Sequence, residues 1–565
     1  MPQIGNYINT ANIKNAVFHL KSYGLLSLKR KALDCIEFMY QYNGWRKEHL
    51  TPDDELAAQR RQERAFSRRP LISIVVPLYK TPEPFLREMI ESVLAQTYTN
   101  WELCLADGSA DDSVFAREST NQASSESIKS ARADSASSRI VRIISEYQSR
   151  SGSGRIRYTC LPENLGISGN TNAALALAGG EYVALLDHDD VLAPDALYEI
   201  VAALNRNPGI DVLYTDEDKM SALDGNYYDP YFKPDFSIDL LRSCNYITHF
   251  YVVRKSLADR AGGFSDECNG SQDYDFILKT TELADSICHI PKILYHWRVH
   301  NNSVAGDPEN KTWAYDAALR ALENHLKRCQ ISAAVQKAPQ FGYYQVSYAC
   351  QKQPLISVLL LDCPDGLKGQ LTAISSWQNF EFVSSVQQAT GAFLAVFYHV
   401  KEMWTADWAE QLFGNCQRGE IGLTSARVYY AKNKILESGL LYTTDGQLRS
   451  PFYKFHDSDT GYCYLAMSQR NCSVVGPWCF MTKTADFRAF LSRRENQPFD
   501  ETVYRYCDTL VQSQHFITVL PQVRVLVPKS ARIAHSGLPS LDCYQGRQDP
   551  FYNPNLSERE PYHLP

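Results

Sequence analysis

EYVALLDHDDV (181–191) sets a short apolar run, Tyr182 to Leu186, directly before Asp187, His188, Asp189 and Asp190. The run follows Gly179-Gly180 and contains the β-branched Val183, which predicts a buried strand. Three carboxylates crowded at its carboxyl end repel one another, and such a cluster calls for a cation, a proton or open solvent. Working outward, LISIVVP (71–77) and WELCLAD (101–107) read as strands. Between them, Phe85, Leu86, Met89, Ile90, Val93 and Leu94 fall on one helical stripe. RIRYTCL (155–161), a helix from Ser168 to Ala178, a helix beginning at Pro194, and the strands DVLYTDED (211–218) and HFYVVRKS (249–256) continue the alternation. Strands alternating with helices predict an α/β class with a parallel sheet, whose ligands bind outside the carboxyl ends of the strands.

The chain has 565 residues, 44% hydrophobic and 21% charged, which predicts two globular domains and a leader. A net charge of −7 gives no reason to expect nucleic acid or bulk membrane binding. No stretch approaches ~20 consecutive apolar residues, and the first thirty lack the basic start and apolar block of a signal peptide. Fifteen cysteines without a C-x-x-C pair argue against a zinc ribbon or a disulfide framework, and for reduced thiols in a cytosol.

Residues 1–67 form a helical leader, in which TPDDELAAQRRQER offers Thr51 as a cap and Pro52 at the first helical position. Lys29, Arg30 and Lys31 beside LLSL suit either an anionic membrane surface or a solvated helix face packed on the next domain. Residues 68–330 make the first domain, interrupted at about 109–154 by a Ser-rich, charged segment expected to be a surface insertion, partly disordered or loosely helical. PLISVLLLDCP, from residue 354, then echoes PLISIVVPLY, and GAFLAVFYHV (391–400) parallels GEYVALLDHD (180–189). An internal repeat of ~200 residues is a duplicated domain, here 350–548, followed by a tail at 549–565. In the copy, Phe397, Tyr398 and His399 are expected where the acids stood.

The strand ends carry the unusual polar residues: Pro77 and Tyr79 after the first strand, Asp107 after the second, Asp187 to Asp190 after the fourth. There is no G-x-G-x-x-G after the first strand and no G-x-x-x-x-G-K-[ST], so dinucleotide-redox and P-loop chemistry lack support. A carboxylate-rich site without a phosphate cradle can hold a diphosphate through a divalent cation, because hard cations prefer oxygen.

VPLY (76–79), LADGS (105–109), ENLGISGNTNAAL (163–175), LLDHDD (185–190), GGF (262–264), QDYD (272–275) and YHWRVH (295–300) occur in the order seen in family 2 glycosyltransferases. From Pro70 to Ala305 the chain resembles that family, with its GT-A fold. YTDEDKM (214–220), DPYFKPDFSIDLL (229–241) and DPFYNPNLS (549–557) resemble a tandem-domain bacterial subgroup that builds O-antigens and capsules, often as rhamnosyltransferases. The resemblance implies that Tyr79 packs on the nucleotide base and Asp107 accepts from its ring nitrogen, with Pro77 and Asn164 in the same nucleotide-sugar set. It implies that Asp187, Asp189 or both hold Mn²⁺ or Mg²⁺ on the diphosphate, that His300 completes the metal or diphosphate site, and that Arg298 balances the leaving charge. Asp190 supports the turn or ribose contacts, and Asp273 in QDYD is the catalytic base, with Gln272 where the family usually has Glu. Asp218 and Glu217 either shape the acceptor pocket or form a solvated turn, and His296 packs beside Trp297 rather than binding metal.

These features together predict an inverting, metal-dependent transfer of a sugar from a nucleotide-sugar donor to a glycan or lipid-linked glycan. The enzyme would be cytoplasmic, peripheral at the inner membrane face, with the second domain a degenerate GT-A-like copy. The rival readings are a non-catalytic glycan-binding scaffold and a bifunctional polymerase.

Overall fold

A Cβ on Gly180 would lie 2.5 Å from the Leu71 carbonyl oxygen and 2.6 Å from Ser73 Oγ, so this position admits only glycine. The close approach lets the Gly180 N–H donate to Ser73 Oγ (2.8 Å), which donates in turn to Glu102 Oε1 (2.6 Å). This knot joins three parallel strands, β1 (Ile72–Leu78), β2 (Trp101–Asp107) and, beyond β3 (Ile156–Cys160), β4 (Tyr182–Leu185). The structure is a computed structural model that describes residues 10–109, 136–152, 154–300, 312–493, 497–531 and 537–565.

The first sheet adds β5 (Val191–Leu192), β6 (Val212–Ser221), β7 (Tyr227–Tyr231), β8 (Tyr251–Arg254) and β9 (Ile287–Val299). Its order is β3-β2-β1-β4-β8-β6-β9-β5, with β7 paired to β6. β8 runs antiparallel to both β4 and β6, so the sheet is mixed. β1 is buried on both faces: Ile74 and Val76 join one apolar cluster with Leu86, Met89, Ile90 and Val93 of the helix Glu83–Leu94, while Val75 joins the other.

After a hairpin of β10 (Ala333–Lys337) and β11 (Tyr344–Tyr348) comes a second nine-stranded sheet. It is built from β12 (Ile356–Leu361), β13 (Phe380–Val383), β14 (Phe393–Tyr398), β15 (Glu402–Met403), β16 (Ile421–Ala431) and β17 (Lys434–Glu437). Beyond the small hairpin β18 (Leu441–Tyr442) and β19 (Leu448–Arg449), it takes in β20 (Arg470–Cys472), β21 (Cys479–Lys483) and β22 (Phe516–Leu526). The order β13-β12-β14-β21-β16-β22-β15 repeats that of the first sheet with β3 removed. The knot is repeated as well: Gly391 N–H donates to Ser357 Oγ (2.9 Å), Ser357 donates to Glu381, and a Cβ on Gly391 would lie 2.5 Å from the Leu355 oxygen. Between β13 and β14 only a single 3-10 turn, Val386–Gln388, remains.

Several expectations are corrected by this fold. The Ser-rich segment ends in a helix, Ala136–Ser151, whose Ile140, Ile143, Ile144 and Tyr147 are buried in the core; residues 110–135 lie outside the described residues. Amphipathic spacing, masked by the low-complexity sequence before it, makes this the crossover helix from β2 to β3. The second leader helix begins at Asp53 with Pro52 before it, and Thr51 donates instead to Asp195 (2.6 Å). In the second sheet Ile356 pairs with Phe393 as Ile72 pairs with Tyr182. The register therefore sets Tyr398, His399, Val400 and Lys401 against Asp187, His188, Asp189 and Asp190, and Phe397 against Leu186. The helical leader stretch Thr10–His49, broken by a kink at Gly24, packs along β7, and its Arg30 lies over the Phe455 ring and pairs with Asp459.

The segment 229–245 joins the two sheets. Ser237 caps the helix Ile238–Ser243, accepting from Leu240 N–H (3.3 Å), and so aims Asp239 into the second sheet. There the buried Asp239 carboxylate accepts from Arg418 (2.9 Å), Thr518 (2.7 Å) and Asn471 (2.8 Å). Burial opposes its charge, but the guanidinium and these donors more than offset that and hold its pKa down to about 2. Because the folded pKa is depressed, the stabilisation is present above pH ~4 and is lost as pH falls through the folded value. Asp239→Ala strands a buried guanidinium and should cost about 3–5 kcal/mol in urea unfolding at neutral pH. A loss below ~1 kcal/mol would show that this pair does not hold the sheets together.

Candidate active site at the carboxyl edge of the first sheet

β1 and β2 end side by side, in register from Ile72 with Trp101 to Leu78 with Asp107. The chain then turns through Tyr79, 42% exposed, and Lys80, whose positive φ of 48° turns its N–H onto Ser109 Oγ (2.7 Å). Asp107 is buried and accepts from Ser109 N–H (2.9 Å) and the Tyr158 hydroxyl (3.1 Å). Burial pushes its pKa up, and these donors oppose the rise. Pro77 is buried inside β1, so it shapes the strand rather than facing the opening. A Cβ on Gly108 would come 2.6 Å from Asn170, so its backbone lies against the Asn164–Asn170 pair. Asn164 Oδ1 accepts from Gly166 N–H (3.1 Å) and Asn170 Nδ2 (3.0 Å), which fixes the exposed ENLG loop beside the strand end.

At the end of β4 the three acids have separate surroundings. Asp190 is wholly buried and accepts from the Arg298 N–H (2.7 Å) and the Tyr295 hydroxyl; desolvation and the charges of Asp189 and Asp187 raise its pKa well above the ordinary range. Asp189 meets His300 Nε2 at 2.8 Å. The Asp187 side chain is 51% exposed and lies 3.7 Å from His249 Nε2; partial burial works against its charge, and His249 more than offsets it, lowering the pKa.

His249 is the residue that reading the sequence did not find. Its ring stacks on Tyr295 at 4.6 Å, its N–H donates to Glu217 (3.1 Å), and Glu217 also accepts from Thr248 (2.9 Å) and the fully buried Lys233 (3.0 Å). Burial alone would lower the His249 pKa, but Glu217 and Asp187 raise it well above the usual imidazole value. A lone His before an apolar strand carries no periodic signal, and only the partners brought by β6 and β4 distinguish it. Asp273 opens the helix Gln272–Leu283 and accepts from Asn245 Nδ2 (2.9 Å). Burial raises its pKa, His249 pulls it down and Asp187 pushes it up, so the three groups share one electrostatic neighbourhood. Gln272 folds back to accept from Gly270 N–H (2.9 Å).

Two expected roles change. Arg298 is 4% exposed, donating to the Asp189 carbonyl and Glu88 with its guanidinium over the Phe85 ring, so it braces the acid turn rather than facing a leaving group. Asp218 is buried on β6 between Tyr42 of the leader helix and His296, so it anchors the leader instead of lining an acceptor pocket or a solvated turn. His296 has its ring edge against Tyr227.

Asp187, Asp190 and His249 offer ligand atoms within 4.8 Å of one another, a set of two carboxylates and an imidazole. Oxygen-rich donors with one nitrogen fit Mn²⁺ or Mg²⁺. The set differs from the expected Asp187, Asp189 and His300: Asp189 pairs with His300, while Asp187 pairs with His249.

Residues 73–129 and 132–261 match the family described as Glycosyl transferase family 2. Over 484 residues the chain is 30% identical to an uncharacterized protein, y4gI, of Sinorhizobium fredii, covering 77% of this chain and 50% of that one. It is 27% identical over 555 residues to the O-antigen biosynthesis protein RfbC of Myxococcus xanthus, covering 87% and 41%. It is 27% identical over 241 residues to a chondroitin synthase of Escherichia coli, covering 42% and 30%. The chain thus spans half or less of each relative's length. The matched segment supplies β1 to β8 and their strand-end acids, so this part of the chain is similar to family 2 glycosyltransferases.

Proposed function

We propose that the carboxyl edge of the first sheet transfers a sugar, with inversion, from a nucleotide-sugar donor to a growing surface polysaccharide. The observation that carries this reading is the convergence of Asp187, His249 and Asp273 on the edge of the sheet that matches the family. Tyr79 offers an exposed ring for the nucleotide base and Asp107 a desolvated acceptor for its ring nitrogen, with Asn164 holding the adjoining loop. A divalent cation held by Asp187 with Asp190 and His249, or with Asp189 and His300, would supply charge neutralisation for the diphosphate. Asp273, oriented by Asn245, takes the proton of the acceptor hydroxyl, and its raised pKa makes it a better base than an ordinary surface carboxylate.

The same reading divides the chain into a leader (1–67), a transferase unit (68–330), a catalytically silent copy (350–548) and a tail (549–565). The register supports the silence of the copy, since Tyr398, Val400 and Lys401 replace the three acids. No helix among the described residues is long and apolar enough to cross a membrane, and peripheral work at the cytoplasmic membrane face belongs to the proposal. The relatives named for O-antigen and chondroitin synthesis support a polysaccharide acceptor.

Asp187→Ala and Asp189→Ala should each remove the Mn²⁺-dependent part of nucleoside diphosphate binding in calorimetry with and without chelator. Affinity that ignores metal in the wild type would overturn the cation assignment. Asp273→Asn should lower turnover by roughly 10²–10⁴ while donor affinity is nearly kept. A base must be deprotonated to act, so wild-type turnover should rise with pH through a pKa above that of an ordinary aspartate. Wild-type turnover in the variant, or the same rising limb, would place the base elsewhere.

A further inference from the structure

The second sheet has a cavity at the strand end that corresponds to the acid cluster of the first sheet, and the charge there is reversed. Lys401 occupies the register position of Asp190, and it lines a cavity of about 640 Å³ together with Lys432 and Lys529. Trp404 and Tyr430 supply aromatic walls, and Glu402 is the one acid among the lining residues. The backbone beneath is fixed: the Lys401 N–H donates to the Leu526 carbonyl (2.7 Å) and the Trp404 N–H to the Arg524 carbonyl (2.9 Å). Glu402 is engaged by the Trp404 indole N–H (3.0 Å). Among the described residues none of the three lysines has an ion-pair partner, although all three stand at the surface. Like charges gathered around one concavity raise the local potential and favour an anion. Aromatic walls favour a ligand with a flat apolar face as well as polar groups.

We propose that this cavity binds an anionic saccharide without a metal ion, the ammonium groups of Lys401, Lys432 and Lys529 doing for its charge what a divalent cation would do in the first sheet. The negative charge can sit on a sugar carboxylate or on a phosphate linking the glycan to its carrier. That this ligand is the acceptor chain rests on the transfer reading above; the preference for anionic sugars does not.

The test uses the full chain in chelator, titrated with a tetragalacturonate, with glucosyl pyrophosphate and with neutral maltotetraose. At least one anionic probe should bind, more weakly as salt rises from ~0.05 to ~0.5 M. Lys401→Glu with Lys529→Glu should weaken that binding by roughly tenfold or more. Tetragalacturonate binding alone assigns the charge to a sugar carboxylate, and glucosyl pyrophosphate binding alone assigns it to the phosphate linkage. Maltotetraose binding as tight as either anionic probe, binding only when Mn²⁺ is restored, unchanged affinity in the lysine variant, or no anion binding at all would overturn the proposal. Mn²⁺-dependent hydrolysis of nucleotide sugars by the same preparation reports on the first sheet separately. Its absence alongside intact anion binding would remove the transfer reading and leave the cavity assignment standing.

Discussion

One buried carboxyl group fixes the site. Asp190 has no exposed surface, so its two oxygens must find donors within the protein, and they find them in the Arg298 backbone and the Tyr295 hydroxyl of β9. That attachment ties the end of β4 to a strand five places later in sequence order and aims its neighbours. Tyr295 also accepts from the Asp187 N–H (3.3 Å) and carries the stacked ring of His249. His249 leans in turn on Glu217, which the buried Lys233 holds. The exposed members of the acid cluster are therefore presented by a rigid chain of buried contacts and not by a flexible turn.

The two sheets separate frame from chemistry. The Ser–Glu–Gly knot recurs in both because it depends on backbone contact, and any side chain on Gly180 or Gly391 would force the strands apart. The strand-end residues bear no such constraint, and there the copy has exchanged acids for Tyr398, Val400 and Lys401. It has also lost the strand equivalent to β3 and the helix packed against it, the part of the first sheet that supplies Tyr158 to Asp107 and the Asn164 loop. A fold can persist in this way while its site is rewritten.

Much of this was legible in the sequence. Apolar runs punctuated by glycine located the strands, and polar residues at their carboxyl ends located the opening, because both signals are local. The repeat was legible for the same reason. What local pattern could not give was partnership. Asp218 and Asp187 are alike in sequence, yet one is sealed under the leader helix by Tyr42 and the other stays half exposed beside His249. Arg298 looked free because Glu88, which holds it, lies 210 residues away. The helix Ala136–Ser151 was hidden by the serine-rich stretch before it, although its buried isoleucines follow ordinary helical spacing.

The segment DPFYNPN closes the molecule on itself. Asn553 donates to Asp216 Oδ2 (2.8 Å) and to the Lys233 carbonyl (2.9 Å), and Asn555 to the Pro291 carbonyl (2.8 Å), all within the first half of the chain or just beyond it. Asp216 is fully buried in the finished protein. During synthesis, however, 337 residues separate it from Asn553, a gap that a ribosome needs on the order of half a minute to cross. Through that interval the nascent first half holds an acid whose last partner has not been made. Maturation of the half that arrives first thus waits on the half that arrives last, and a ribosome that stalls in between releases a chain with an unsealed acid beside its site.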